Sequence, residues 1–152
     1  MSKYKLLQLT NSSIGATDAN TLLPLGIVTR KINSACDCPT FQVATSNADT
    51  IYINEPGYYK VTYSASFTAN AAGTVSVSLL ANQVSVYTVS EEATAAEDIV
   101  NVTLPYVIRV CPNSCSSPYN CPTAVQFKLG DTALGITPNP STANLIIERV
   151  YC

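Results

Sequence analysis

The stretch Ile51-Tyr-Ile-Asn-Glu-Pro-Gly-Tyr-Tyr-Lys-Val-Thr-Tyr-Ser-Ala-Ser-Phe-Thr68 holds two period-2 segments hinged at Glu55-Pro56-Gly57. Side chains alternate across a strand, so Tyr59, Val61, Tyr63, Ala65 and Phe67 point one way and Lys60, Thr62, Ser64 and Ser66 the other. That is the pattern of a half-buried antiparallel strand, and it excludes a helix. Pro56 presets a turn dihedral and Gly57 can supply a positive one, so the pair stops one strand and starts the next. The core expected from this stretch is Ile51, Ile53, Tyr59, Val61, Tyr63 and Phe67.

Working outward, a chain of 152 residues makes about one domain and one core. Charged residues make up only 12% of it, and Ser and Thr fill the polar positions instead. With 8 basic and 10 acidic residues and no run of either sign, the chain lacks the electrostatic footprint of a nucleic-acid binder. No stretch approaches the ~18 apolar residues of a membrane helix. The apolar run after Met1 is too short and interrupted for a secretory signal. Taken as complete, the chain is expected to be made and first folded in a host cytoplasm.

Strand signals recur between turn signals along the rest of the chain. Met1 to about Asn20 reads as an N-terminal arm with breakers at Ser12, Ser13, Gly15 and Asp18. Residues 21–152 read as the head domain. Within it, Leu22 to Val28 is expected as a first core strand, with Pro24 and Gly26 marking an edge or bulge. Further strands are expected at Phe41 to Ala44, Ile51 to Ile53, Tyr58 to Thr68, Val75 to Leu80, Val84 to Val89, Ile99 to Val110, Ala124 to Leu129 and Leu145 to Tyr151. Pro105 implies an edge or bulge, and Ser90 to Asp98 reads as a solvated connection. There is no βαβ rhythm and no internal repeat, so the fold class is all-β.

Catalysis is hard to assemble from these residues. Histidine is absent, which removes the commonest general base and every Ser-His or Cys-His nucleophile arrangement. No Gly-rich phosphate loop appears. The pairs Glu91-Glu92 and Glu97-Asp98 lack the alternating ligand spacing of a calcium loop. The expectation is a non-enzyme with no cofactor.

Gly57-Tyr-Tyr59 with its alternating apolar positions, the preceding Ile51-Tyr-Ile53, the Leu79-Leu-Ala-Asn82 hairpin approach and the terminal Leu145-Ile-Ile-Glu-Arg-Val-Tyr151 together resemble the C1q/TNF-like jelly roll. The similarity spans about Leu22 to Tyr151 and rests on the order of several motifs. The version most resembled is the bacterial and bacteriophage one, also found at the tips of collagen-like spore-surface proteins. This chain has no Gly-X-Y repeat. The resemblance implies an antiparallel jelly-roll sandwich that forms homotrimers. It also implies a structural virion protein, a capsid decoration or head fibre, with its head exposed on the capsid surface. The arm, through Tyr4, Leu6, Leu7 and Leu9, would then grip the major capsid protein or another shell protein. Removing Met1 to Ala19 is accordingly expected to abolish attachment and leave trimers folded. The alternative is an adhesive module of a phage tip, spore or cell surface that holds a host glycan or receptor.

Only one face of each strand in such a sandwich meets the core, so apolar residues of the other parity need a second cover. Tyr52, Tyr58, Ile146 and Val150 are of this kind and are the expected trimer contacts. Cys36, Cys38, Cys111, Cys115, Cys121 and Cys152 fall in two loops and at the C-terminus. Four thiolates could hold zinc, although Cys-x-Cys with Cys-x3-Cys departs from common zinc spacing. Disulfides formed outside the reducing cell and six inert thiols are the other readings, and six cysteines allow 15 pairings.

Overall fold

The computed structural model describes residues 4–33, 39–43, 48–110, 123–130 and 136–151. Among them are β1 (Leu6–Asn11), β2 (Ile27–Ile32), β3 (Phe41–Val43), β4 (Ile51–Ile53), β5 (Gly57–Ala69), β6 (Gly73–Ala81), β7 (Val84–Ala93), β8 (Ile99–Val110), β9 (Thr123–Leu129) and β10 (Ile136–Tyr151). They form two five-stranded antiparallel sheets, ordered β2-β1-β10-β5-β8 and β3-β4-β9-β6-β7. Consecutive strands β4 and β5 lie in different sheets, so the Glu55-Pro56 turn carries the chain from one layer to the other. The all-β antiparallel jelly-roll sandwich expected from the sequence is the architecture observed.

The alternation in β5 places Tyr59, Val61, Tyr63 and Phe67 between the sheets with no exposed surface, and Ile51 and Ile53 meet them from β4. Aromatic rings tie the layers together. Tyr63 of β5 stacks on Phe127 of β9 with centroids 4.4 Å apart. Phe41 of β3 meets Tyr59 edge-on at 5.9 Å. Such pairs add to the area they bury.

The Tyr63 hydroxyl has no hydrogen-bond partner among the described residues. Burial alone pushes its pKa well above the ordinary phenol value. An orphaned buried hydroxyl carries an uncompensated desolvation cost, so Tyr63→Phe is expected to stabilise the fold by about 1 kcal/mol. Because the folded state holds this proton more tightly, stability is expected to be full below the ordinary phenol range and to fall as pH rises through it. Thermal melts at neutral and alkaline pH check both points, and Tyr63→Phe should remove its share of the alkaline loss.

Three expected elements differ. The N-terminal arm is not a separate segment: Leu6–Asn11 is β1, paired with Leu6↔Glu148 through Asn11↔Ala143 on one side and with β2 on the other. Leu7 and Leu9 are fully buried, Leu6 is buried as well, and Tyr4 is exposed. Leu7 and Leu9 alternate with Gln8 and Thr10, the same period-2 signal as in β5, and burial of that inward pair draws the segment into the sheet. The chain beyond β1 also stays on the sandwich: Ile14 is buried and its amide donates to the Ser141 carbonyl, while Thr17 bridges Ile136. Residues 4–20 therefore pack on the same sandwich as the described strands of the 21–152 segment.

The expected first core strand at Leu22 to Val28 is the second difference. Leu23 and Leu25 are buried but precede the strand, while Ile27 and Val28 of the edge strand β2 are exposed. Gly26 makes the break: its φ is +84°, and a Cβ there would run into the Thr10 carbonyl. Third, β7 continues through Ala93, so much of the expected solvated connection is strand. After it, the Thr94 hydroxyl and the Thr94 and Ala95 amides donate to Asp98 Oδ2, closing the turn into β8. The hydrogen bonds from Thr94 are the main cause that lowers the Asp98 pKa. Asn82 and Gln83, both at positive φ, make the tight turn between β6 and β7.

Candidate functional site

The strand registers put the outward residues of the first sheet, β2-β1-β10-β5-β8, in cross-strand rows. One row runs Gln8, Ile146, Thr62 and Pro105, the next Leu6, Glu148, Lys60 and Val107, and Tyr58 lies opposite Arg109. Val150 sits at the irregularity between Arg149 and Tyr151 and is exposed, as are Tyr58, Val107 and, further along β8, Ile99. The Arg109 guanidinium lies 5.9 Å from the centre of the Tyr58 ring, within cation–π reach. Pro105 occupies the edge strand β8, where a missing amide hydrogen is tolerated.

Three of the four expected contact residues, Tyr58, Ile146 and Val150, thus share one face. Tyr52 does not join them. It lies on β4 and points out of the second sheet, on the other side of the sandwich. One β-sandwich cannot bring outward residues of both layers into one patch, because the core lies between them. Val107 and Arg109 join the patch, while Ile99, opposite Thr68, lies at the far end of the same face. Their signal was the alternation in Ile99 to Val110, where the odd positions face outward.

Toward the other end, the same face becomes a shallow groove of about 530 Å³ without a charged residue. Thr10, Ser64, Ser66, Asn101, Thr103 and Asn144 line its polar side. The Thr10 hydroxyl donates to Asn144 Oδ1 at 3.3 Å, leaving the Asn144 amide hydrogens for another acceptor.

Behind the start of β5, Arg149 pairs with Glu55 through Nη1 and donates to the Pro56 carbonyl through Nη2. The Thr40 hydroxyl donates to the other Glu55 oxygen, and the Tyr59 hydroxyl to the Glu55 carbonyl, each at 2.7 Å. This network holds the crossover between the layers and so positions Tyr58. Among the described residues no group of three or more Cys, Asp or Glu side chains could hold a metal ion. The six candidate disulfide cysteines, Cys36, Cys38, Cys111, Cys115, Cys121 and Cys152, lie outside the described residues. No helix among the described residues is long and apolar enough to cross a membrane.

The fold recurs in known structures. The vertex protein P5 of phage PRD1 superposes with a TM-score of 0.59 at 14% identity, covering 96% of this chain and 96% of that one. Murine APRIL at pH 5.0 superposes with a TM-score of 0.57 at 10% identity over 95% of this chain and 98% of its own. Eiger TNF from S. frugiperda gives 0.57 at 9% identity, over 94% and 90%. The chain is therefore an antiparallel jelly roll of the TNF-like kind, and at these identities the likeness is one of fold. No known family and no curated protein matches it by sequence.

Proposed function

We propose that this chain is a structural virion protein, a trimeric capsid decoration or head-fibre subunit of a bacteriophage that stands on the capsid surface and has no catalytic role. The observation that carries the reading is the outer face of the first sheet. It offers the exposed Tyr58, Val107 and Val150 beside the half-buried Ile146 with no second layer over them, on a fold shared with a phage vertex protein. Exposed apolar groups gathered on one face favour a contact between copies. Cyclic packing of that face against sister subunits removes them from water.

The contact is tested by two substitutions. Tyr58→Asp is expected to give monomers by light scattering, whereas Tyr52→Asp, on the opposite outer face, leaves the trimer intact. Trimers surviving Tyr58→Asp would remove Tyr58 from the interface.

Disulfides belong to this proposal. The cysteine-bearing segments are flanked by Asn33 and Pro39, by Val110 and Thr123, and by Tyr151. The registers Phe41↔Ile53↔Thr123, Val110↔Gly57, Tyr151↔Tyr58 and Leu6↔Ile32 set all five flanks at the end where β5 begins. Bridges formed after release from the cell would each stabilise the particle protein by about 2–4 kcal/mol. A thiol titration on denatured, particle-derived protein is expected to find fewer than six free groups, and six would eliminate bridges.

The adhesive reading has one observation in its favour, the uncharged groove of hydroxyl and amide side chains described above. Such groups suit a neutral glycan. Binding of the intact protein on a glycan array, lost in Asn144→Ala, would support it over a purely structural role.

A further inference from the structure

The outer face of the second sheet, β3-β4-β9-β6-β7, stays open to solvent when sister subunits cover the first. Tyr52 of β4 stands out from it, 40% exposed. A single exposed apolar side chain is ordinary, but the neighbours of this one are not. The registers give the row Gln42, Tyr52 and Ala124 across β3, β4 and β9, all three facing outward. Ala124 brings only a methyl group to the flank of the tyrosine ring. Beyond it Asn82 follows β6 and is fixed by two hydrogen bonds. Its amide donates to the Ala124 carbonyl and its Oδ1 accepts from the Ala124 amide, each at 2.9 Å. Tyr52 and Asn82 are thus two strand spacings apart, about 10 Å, with Ala124 as the floor between a ring and a carboxamide.

A second carboxamide borders this shelf. Gln126, the next outward residue after Ala124, donates through Nε2 to the Thr50 hydroxyl at 2.8 Å, and that hydroxyl donates to Asp49 Oδ1 at 2.8 Å. The chain of bonds orients Gln126 and leaves its Oε1 and one amide hydrogen for a ligand. The Gln42 carboxamide and the Tyr52 hydroxyl make no hydrogen bond among the described residues. Asp49 is exposed beside Thr50, Glu55 is paired with Arg149, and Lys128 lies about 14 Å along β9 from Ala124 at strand rise.

We propose that this shelf is a binding subsite for a neutral saccharide, with the Tyr52 ring stacked on one face of the sugar and Gln42, Asn82 and Gln126 bonding its hydroxyls. A sugar ring presents C–H groups on its face and hydroxyls at its rim. The negative face of an aromatic ring attracts the former, and a carboxamide, which both donates and accepts, matches the latter. Asp49, next to Thr50, can accept from a further hydroxyl and repels a carboxylate or sulfate, so the sugar is an uncharged one. The site goes beyond the structural role and does not rest on it, since Tyr52 faces away from the trimer contact. It also differs from the groove on the first sheet, which the sister subunits would cover. In a trimer three shelves face outward together, so a weak subsite gains avidity on a surface that repeats the sugar.

The test applies the full chain to an array of neutral, sialylated and sulfated glycans, and titrates the strongest neutral binder by saturation-transfer NMR. Binding is expected among the neutral glycans. Tyr52→Ala should weaken it by about tenfold, while Tyr52→Phe, which keeps the ring, should preserve it. Gln126→Ala should weaken it by about threefold. Asn144→Ala, in the groove of the first sheet, should leave it unchanged. If Tyr52→Ala fails to melt cooperatively, Gln126→Ala and Gln42→Ala decide in its place. No binding to any neutral glycan, full binding by the shelf variants, loss in Asn144→Ala in their stead, or preference for the acidic glycans would overturn the proposal. Light scattering on the same samples separates the two readings: monomers that still bind a neutral glycan count against the trimer and not against the shelf.

Discussion

A chain that starts at Asn20 is expected not to fold. The deletion removes β1, the strand that joins β10 to β2, and takes Leu7, Leu9 and Ile14 out of the core. Losing each such side chain costs roughly 2–5 kcal/mol, and a domain has only about 5–15 kcal/mol of stability to lose. The cut also leaves β2 without its only strand partner among the described residues and exposes the backbone of β10 along Ala143 to Glu148. Circular dichroism should show no cooperative melt, and light scattering should show aggregates in place of defined oligomers. A truncated protein that melts cooperatively and stays soluble would show that β1 is a dispensable attachment arm after all.

The second large effect is expected at Phe67. Its ring is fully buried on the inward row of β5, opposite Val100 of β8. Both neighbours of β5 are fixed by long registers, so the surrounding backbone has little freedom to collapse into the space left by truncation. Phe67→Ala should cost about 3–5 kcal/mol, which a denaturant titration would read as a lower midpoint at unchanged slope. An unchanged midpoint would mean that this row of β5 does not face the core.

The two effects differ in how far they could be read beforehand. Phe67 lies in a stretch whose alternation runs unbroken from Tyr59, so its facing followed from the pleat alone. Leu7 and Leu9 carry the same alternation in a shorter stretch followed by Ser12, Ser13 and Gly15, and those breakers suggested a free arm. What the breakers mark is a surface connection that stays hydrogen-bonded to β10. Tyr52 was read correctly as outward, since it lies between the buried Ile51 and Ile53. It faces out of the other layer from Tyr58 because Glu55 and Pro56 pass the chain across, and local periodicity carries no information about which sheet a strand joins. The groove of serine, threonine and asparagine side chains was illegible for the same reason, since its residues come from four strands far apart in sequence.

Hydrophobic alternation, turn residues and the absence of histidine thus determined by themselves an all-β antiparallel sandwich, the inward row of each long strand and the absence of His-dependent catalysis. These are local properties, set by the two-residue repeat of an extended chain and by side-chain chemistry. Strand order was decided only by the tertiary structure, and with it the capture of β1 by the core and the separation of Tyr52 from Tyr58. Each of these depends on which strands pair across the sheet, and pairing is settled by the burial of the whole core at once.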